Sequence, residues 1–261
     1  MPIHPTAIIE DGAEISADAR IGPYCVIGPK AKIAAGAELK SHVTVSGRTT
    51  IGERTIVHPF AALGGPPQHT GYRDEDTSLA IGTDNIIREH TAINIGTAAG
   101  RGETRVGDHC YLMCNAHVGH DCIIGDRTIF GPSAAVGGHA VIGENVFLGG
   151  LAAVHQHSRI GAYAFVGGVA AVTTDLIPYG SAWGNHAHLD GLNIIGLKRR
   201  GAPRDLVHDM RAAYKLLFHG DGVFKDRVEQ AEREFGHRPE VARIIAFIKA
   251  EAPRPLMTPA R

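Results

Sequence analysis

The stretch IHPTAIIEDGAEISADARIGPYCVIGPKAKI, residues 3–33, carries an aliphatic residue at every sixth position. The same phase continues to residue 63, is lost over 64–80, returns over 81–93, is lost over 96–105 and holds from 106 to 172. A small residue follows four positions later in many of these repeats, as at Ala7, Ala13, Ala19, Cys25, Ala31 and Ala37. A fixed six-residue period is typical of a solenoid, so we expect three hexads to form one coil.

Each hexad is expected to point its aliphatic residue into a narrow interior, where the small residue lets the chain turn a corner. Glycine, aspartate and asparagine are expected in the turns, where positive φ is needed. Stacked coils, roughly nine of them, would then form three flat parallel sheets around one core. Three cysteines fall in the small inward position and are interpreted as packing residues: Cys25, Cys110 and Cys122.

The period changes near residue 191, after Pro178 and Gly180 mark a boundary. Helical spacing of apolar residues over 206–217, with Pro203 in a first turn, predicts one helix. Two more are predicted near 223–235 and 239–250, and the tail APRPLMTPAR (252–261) is expected to be loosely ordered. We therefore predict a β-solenoid over 1–190, with insertions near 64–80 and 96–105, and a helical C-terminal domain over 191–261 that covers its open end.

Composition excludes several classes of protein. The 261 residues include 26 Lys plus Arg against 27 Asp plus Glu, so no overall basic field favours nucleic acid. No apolar run is long enough for an integral membrane segment, and the N-terminus lacks the features of a signal peptide. The four cysteines lack zinc-finger spacing, which suits a reducing compartment and predicts a cytoplasmic protein.

Histidines are unusually frequent, with 16 in the chain, and several fall late in the solenoid. His139 and His157 are one coil apart in the predicted repeat, and His120 precedes His139 by almost the same interval. His155 lies two residues off this column. We therefore expect a ladder of imidazoles along one edge of the solenoid.

Three interpretations of the ladder remain open from the residues alone. The histidines can be solvated turn residues, or they can bind Zn²⁺ as in the trimeric β-helix carbonic anhydrases. They can also act in acid–base catalysis, with one histidine as the base and others binding polar substrate groups. No cysteine or carboxylate is expected in the column. Histidine alone does not distinguish between zinc binding and acid–base catalysis.

The block NAHVGHDC (115–122), with AVHQH (153–157) and GLNIIGLKRRG (191–201), resembles the acyl-carrier-protein-dependent UDP-N-acetylglucosamine O-acyltransferases of lipid A synthesis. The resemblance covers essentially the whole chain, from IHPTAIIE (3–10) onward. It implies a left-handed β-helix and a homotrimer with active sites between chains. It also implies acyl carrier protein and a UDP-aminosugar as partners. No metal or organic cofactor is expected, because the phosphopantetheine thioester is itself the acyl donor.

The resemblance also implies roles for individual residues. His120 matches the general base, Asp121 an acid that orients the base or the sugar, and the Gly138 N–H the oxyanion donor. Gly168, in FVGGVAA, matches the acyl-chain ruler, where glycine accompanies long chains; the alternative is a glycine needed for backbone shape. Further positions on the substrate side are His117, His139, His155, Gln156, His186, Asn193, Arg199 and Arg200.

Some positions depart from the family pattern. In the first interruption, His69 and Gly71 stand where an acidic residue and a lysine are usual; Ile195 and His157 also differ from the usual residues. These changes concern the acceptor, and some relatives use an acceptor with a 3-amino group, giving an amide.

Three other functions are weighed against this one. The related N-acyltransferase of the same pathway carries an extra N-terminal domain, for which a repeat starting at residue 3 leaves no room. A zinc lyase would use His117, His120 and His139 as ligands. A purely structural β-helix is disfavoured by the two interruptions and the imidazole ladder.

Overall fold

Three sheets of short strands form the β region, and the chain passes through them in turn. The structure, a computed structural model, describes residues 2–260. The first sheet contains β1 (Ile8–Ile9), β4 (Val26–Ile27), β7 (Thr44–Val45), β10 (Ala62–Gly65), β13 (Ala92–Asn94), β16 (His117–Val118), β19 (Ala135–Val136), β22 (Ala153–Val154) and β25 (Ala171–Val172). The second contains β2 (Glu14–Ile15), β5 (Lys32–Ile33), β8 (Arg48–Ile51), β11 (Ser78–Ile81), β14 (Glu103–Val106), β17 (Ile123–Ile124), β20 (Val141–Ile142) and β23 (Arg159–Ile160).

The third sheet ends in an antiparallel hairpin. It contains β3 (Arg20–Ile21), β6 (Glu38–Leu39), β9 (Ile56–Val57), β12 (Ile86–Ile87), β15 (Tyr111–Leu112), β18 (Ile129–Phe130), β21 (Phe147–Leu148), β24 (Phe165–Val166), β26 (Gly180–Trp183) and β27 (His188–Leu192). Between residues 2 and 260, all strand pairs of the three sheets are parallel except β26 with β27. Equivalent residues of successive coils lie in register, as for Val118 and Val136. The predicted solenoid of three parallel sheets is confirmed.

The interior is built from the two inward positions of each repeat. The aliphatic residues, such as Ile27, Ile87 and Leu112, are completely buried, and each burial contributes about 1.5–3 kcal/mol. The cysteines fill the small position as expected. Burial raises the pKa of Cys122 to about 12, so its thiol stays protonated, and it donates to the Gly137 carbonyl at 3.1 Å.

The corners use residues differently from the sequence prediction. Positive φ falls mostly on residues with side chains, including Asp121, His139 and His157 at 60–64°, and also Leu151 and Val169. Most glycines of the repeat do not have positive φ. They are needed instead where the backbones of successive coils approach each other closely. A Cβ on Gly125 would lie 2.5 Å from the amide nitrogen of Glu144 in the next coil.

Both interruptions leave the solenoid at the same corner. The first, residues 66–77, joins β10 to β11, and the second, residues 95–102, joins β13 to β14; each therefore passes from the first sheet to the second. Parts of the intervals inferred from sequence belong to strands, namely residues 64–65, 78–80 and 103–105. We call this corner, with its later turns 119–122, 137–140 and 155–158, the histidine corner.

Four helices follow the hairpin in the described part of the chain. They are α1 (Ile194–Arg199), α2 (Arg204–His219), α3 (Phe224–Phe235) and α4 (Pro239–Lys249). The six-residue α1 is absent from the prediction, since its apolar residues are too few to show a helical period. Within residues 2–260, none of the helices combines the length and the apolar composition needed to span a membrane.

The expectation of a loosely ordered tail is wrong for the residues up to 260. Met257 is buried, and its amide donates to the Asp175 carbonyl at 2.8 Å, while the Asp175 amide donates to the Pro255 carbonyl at 2.9 Å. Asp175 is itself completely buried and accepts from the Arg159 side chain at 2.6 Å. The tail covers apolar core and backbone groups at the open end of the solenoid, and this fixes it in place.

Candidate active site

The predicted imidazole ladder lies along the histidine corner. The His139 and His157 rings stack with centroids 4.5 Å apart, and the His120 ring meets His139 edge-on at 4.9 Å. His69, from the first interruption, extends the column beyond His120 at 5.5 Å. The structure therefore brings together four histidines, one more than the repeat spacing alone predicted.

Asp121 is the most heavily bonded residue of the column. Its carboxylate is completely buried and accepts from the amides of Thr97, Arg101 and Gly102 at 2.7–3.2 Å. The Thr97 hydroxyl donates to it at 2.7 Å. The second interruption thus wraps around this carboxylate, which gives the loop a clear role in organising the site. The expectation that no carboxylate belongs to the column is wrong, because Asp121 lies beside its rings.

The environment of Asp121 fixes its charge. Burial alone would raise the pKa of Asp121, but hydrogen bonds from His120, Thr97 and Arg101 outweigh burial and hold the pKa below its usual value of 3.8. The ionised carboxylate lies 2.8 Å from His120 Nδ1 and can only accept there, so Nδ1 carries the proton. Neutral His120 consequently presents an unprotonated Nε2.

That Nε2 faces Gly138. A Cβ on Gly138 would lie 2.7 Å from His120 Nε2, so only glycine fits beside the ring in this position. Among residues 2–260, no hydrogen-bond acceptor is found for the Gly138 N–H. An unprotonated imidazole nitrogen and a free backbone donor therefore lie next to each other.

Burial favours the neutral form of three further histidines, His139, His157 and His117. Burial lowers the pKa of His139, although the Asp121 carboxylate opposes this shift. Burial and the guanidinium groups of Arg254 and Arg101 lower the pKa of His157. His117 lies on the outer face of β16, and burial lowers its pKa as well. These rings serve as uncharged hydrogen-bonding groups near neutral pH.

Two further predicted residues, His155 and Gln156, are exposed in the last turn of the histidine corner. The remaining predicted residues lie elsewhere in the same chain. Gly168 is exposed at the corner between the third and first sheets, and His186 is exposed in the turn of the β26–β27 hairpin.

Three more of the predicted residues lie at the corner between the second and third sheets. Asn193 caps α1 by accepting from the Gly196 amide at 2.9 Å, and it donates to the Tyr163 carbonyl at 3.0 Å. The Arg200 guanidinium lies over the Tyr163 ring at 4.5 Å. Arg199 is exposed in the last turn of the same helix. The predicted site residues are therefore spread over three corners and the hairpin turn of one chain.

In the part of the chain that the structure describes, one cluster has the residue types of a metal site. Ligand atoms of His120, Asp121 and His139 lie within 4.8 Å of one another, in place of the set with His117 expected for a zinc lyase. Both Asp121 oxygens already accept hydrogen bonds from the second interruption and His120, so a metal ion would have to displace them.

Sequence reasoning missed three contributors. His69 was noted only as a departure from the family pattern. Arg101 donates to the His139 carbonyl at 3.2 Å, and Arg254 reaches His155 from the C-terminal tail. The two interruptions were a usable signal for the first two residues, whereas nothing in the repeat points to the tail.

Comparisons with known proteins agree on one family. Residues 175–257 match the family model of UDP N-acetylglucosamine O-acyltransferase domain 2, and residues 103–138 match the bacterial transferase hexapeptide model. The acyl-[acyl-carrier-protein]–UDP-N-acetylglucosamine O-acyltransferase of Caulobacter vibrioides is 52% identical over 261 residues, covering 100% of this chain and 99% of the relative. Its counterpart in Methylobacterium radiotolerans is 56% identical over 257 residues, or 98% and 94% of the two chains.

Solved structures extend the agreement to the fold. LpxA from Acinetobacter baumannii matches with a TM-score of 0.95 at 39% identity, covering 98% of this chain and 100% of that one. The UDP-N-acetylglucosamine acyltransferase of Francisella novicida matches with a TM-score of 0.94 at 32% identity, covering 98% and 94%. These structural matches, together with the parallel sheets of hexapeptide repeats, fit a left-handed β-helix. The chain belongs to the acyl-[acyl-carrier-protein]–UDP-N-acetylglucosamine O-acyltransferase family.

Proposed function

We propose that the protein transfers a 3-hydroxyacyl group from acyl carrier protein to the 3-hydroxyl of UDP-N-acetylglucosamine, with His120 as the general base. The observation that carries this proposal is that His120 Nε2 lies 2.7 Å from where a Cβ on Gly138 would stand, while the Gly138 N–H has no acceptor among residues 2–260. A base and an oxyanion donor are the two groups that acyl transfer from a thioester requires.

The proposed reaction proceeds in two steps. His120 Nε2 accepts the proton of the sugar 3-hydroxyl as the oxygen attacks the thioester carbonyl, and the Gly138 N–H donates to the developing oxyanion. The tetrahedral intermediate then expels the pantetheine thiolate, which takes the proton from Nε2. Asp121 keeps the imidazole in the required tautomer and stabilises the imidazolium that forms.

The test is an assay of purified protein with a panel of 3-hydroxyacyl carrier proteins. UDP-N-acetylglucosamine and its 3-amino analogue serve as acceptors, and mild alkali distinguishes an ester product from an amide. An alkali-labile product from UDP-N-acetylglucosamine supports the proposal, and an alkali-stable product from the analogue alone would assign the 3-amino sugar. Stoichiometric zinc together with hydration of CO₂ and no acyl transfer would instead assign a zinc lyase.

The outer faces of the sheets support a homotrimer with sites shared between chains. The third sheet carries an apolar column whose Phe147 and Phe165 rings stack at 5.3 Å. The first sheet carries alanine at several equivalent outward positions: Ala92, Ala135, Ala153 and Ala171. The second sheet carries charged pairs such as Lys32 with Glu14 at 2.9 Å. Two different apolar faces on each chain can pack against each other around a closed ring of subunits, and the charged second sheet can remain exposed to solvent.

Assembly makes a measurable prediction. Light scattering is expected to show a trimer at all assay concentrations, and Phe147→Glu is expected to dissociate it and abolish transfer, because a buried unpaired carboxylate is costly. Ile123→Glu, on the second sheet beside Arg105, is the matched control and should leave the trimer intact. An active monomer would refute the shared site.

Gly168 is proposed as the acyl-chain ruler, open to a long 3-hydroxyacyl donor of the myristoyl class. Its φ is outside the left-handed region, and a Cβ there would meet the Gly150 carbonyl oxygen at 3.3 Å and the Gly150 nitrogen at 3.9 Å. This geometry favours the ruler over a glycine needed for backbone shape. By contrast, a Cβ on Gly167 would lie 2.2 Å from the Trp183 ring.

Gly168→Met is therefore expected to fold and to shift preference toward shorter acyl donors, since each CH₂ excluded from an apolar groove costs about 0.8 kcal/mol. Comparing kcat/KM across the donor panel checks this. An equal loss toward every donor would show that the glycine serves the backbone alone.

A further inference from the structure

The C-terminal tail brings a charged side chain to the histidine corner. After α4 the tail returns across the last coils, where the backbone of Pro255 and Met257 pairs with Asp175. Arg254 directly precedes this anchored segment, and its side chain is half-buried. The tail thereby lies beside the histidine corner, which is formed by turns and insertions of the solenoid.

Arg254 makes two contacts there. Its Nη2 lies 2.7 Å from His155 Nδ1, and its Nε donates to the Gln156 carbonyl at 3.2 Å. A guanidinium group has donors only, so His155 Nδ1 must accept. His155 Nδ1 is also 3.2 Å from the Gln156 carbonyl oxygen, but two acceptors form no hydrogen bond with each other.

We propose that Arg254 is a positioning residue that fixes His155 as the tautomer with its proton on Nε2. His155 then presents an N–H to its ligand, which suits an acceptor such as an amide carbonyl of the pantetheine arm. The choice of ligand rests on the proposed function, whereas the tautomer rests on the contacts alone. The same guanidinium contributes to lowering the pKa of His157, which places its charge within range of the imidazole column.

The anchoring of the tail does not depend on Arg254. Met257 is buried, the backbone of the tail pairs with Asp175, and Asp175 is held by Arg159. Replacing Arg254 should consequently leave the tail in place and remove only the contacts to His155 and Gln156. This separates a positioning role from a structural one.

The direct test is ¹⁵N NMR of the histidine side chains in the full-length protein at alkaline pH. In the native protein, His155 Nδ1 should be unprotonated and hydrogen-bonded. In Arg254→Met it should gain a proton, because Nδ1–H can then donate to the nearby Gln156 carbonyl. Arg233→Met, which removes an exposed cation from α3, is the matched control and should leave the His155 signals unchanged. Unchanged His155 signals in Arg254→Met would overturn the proposal, whether or not the protein transfers acyl groups.

Kinetics provide the second readout. Arg254→Met is expected to lower kcat/KM for the acyl donor about tenfold through KM, as the loss of one hydrogen bond from His155 to the donor would. Arg254→Lys should recover part of this. If Arg254 acts through His155, the double variant with His155→Ala should be no worse than His155→Ala alone. Multiplied losses, or a lowered unfolding temperature in Arg254→Met, would contradict the positioning role.

Discussion

Replacing His120 with alanine is expected to lower the chemical step by about 10²–10⁴-fold, the usual contribution of a general base. The side chain is 13% exposed and lies in a turn outside the hydrophobic core, so the fold should persist. Single-turnover rates with saturating acyl carrier protein measure the step directly, and the unfolding temperature checks the fold.

The control is His208→Ala, on a helix and 83% exposed, which should retain native activity. A His120→Ala variant with more than about a tenth of the native rate, a loss far below the range for a general base, would show that another group removes the proton.

Asp121→Asn is expected to lower kcat by a similar factor, about 10²–10⁴, although the two side chains have nearly the same shape. The asparagine oxygen is best placed toward the amides of Arg101 and Gly102, which leaves its NH₂ facing His120 Nδ1. Nδ1 must then accept, the imidazole proton moves to Nε2, and the base is lost.

Asp126→Asn provides the matched control, because Asp126 accepts from the Asp108 amide at 2.9 Å at a different corner. It should leave the rate unchanged. An Asp121→Asn variant with native kcat would show that the carboxylate does not govern the tautomer of His120.

The Asp121→Asn substitution is also expected to change how the free energy of unfolding depends on pH. Because the folded pKa of Asp121 lies below its unfolded value of 3.8, the ionised carboxylate stabilises the native state fully above that pH. This stabilisation is lost as pH falls through the folded pKa. The difference in unfolding free energy between the native protein and Asp121→Asn should therefore shrink below about pH 4.

The fold was predictable because every coil places aliphatic residues in the same interior positions. Ile27, Ile51 and Ile87 occupy equivalent interior positions, and a period of six residues reveals them without any knowledge of their neighbours. The corners were less predictable. Leu151 and Val169 have positive φ there, against their local preference, because strand pairing on both sides fixes the turn.

The site was predictable where it follows the repeat. His120, His139 and His157 could be aligned from their spacing, and the resemblance added Asp121 and Gly138. Arg254 could not be found in this way, since it reaches His155 from 99 positions away through a tail without any periodicity. The hydrogen bonds that the second interruption gives to Asp121 are likewise a property of loop conformation, which composition does not encode.

The register of successive coils has a consequence for what the corner can recognise. Backbone hydrogen bonds between strands set the rise per coil at about 4.8 Å, and the His139 and His157 rings follow it at 4.5 Å. Substituting a side chain on one coil changes the chemistry of that coil without moving the neighbouring coils. Backbone groups of neighbouring coils at this corner are therefore spaced in multiples of that rise, so a ligand that contacts several coils meets a row of positions at a fixed interval along the solenoid axis.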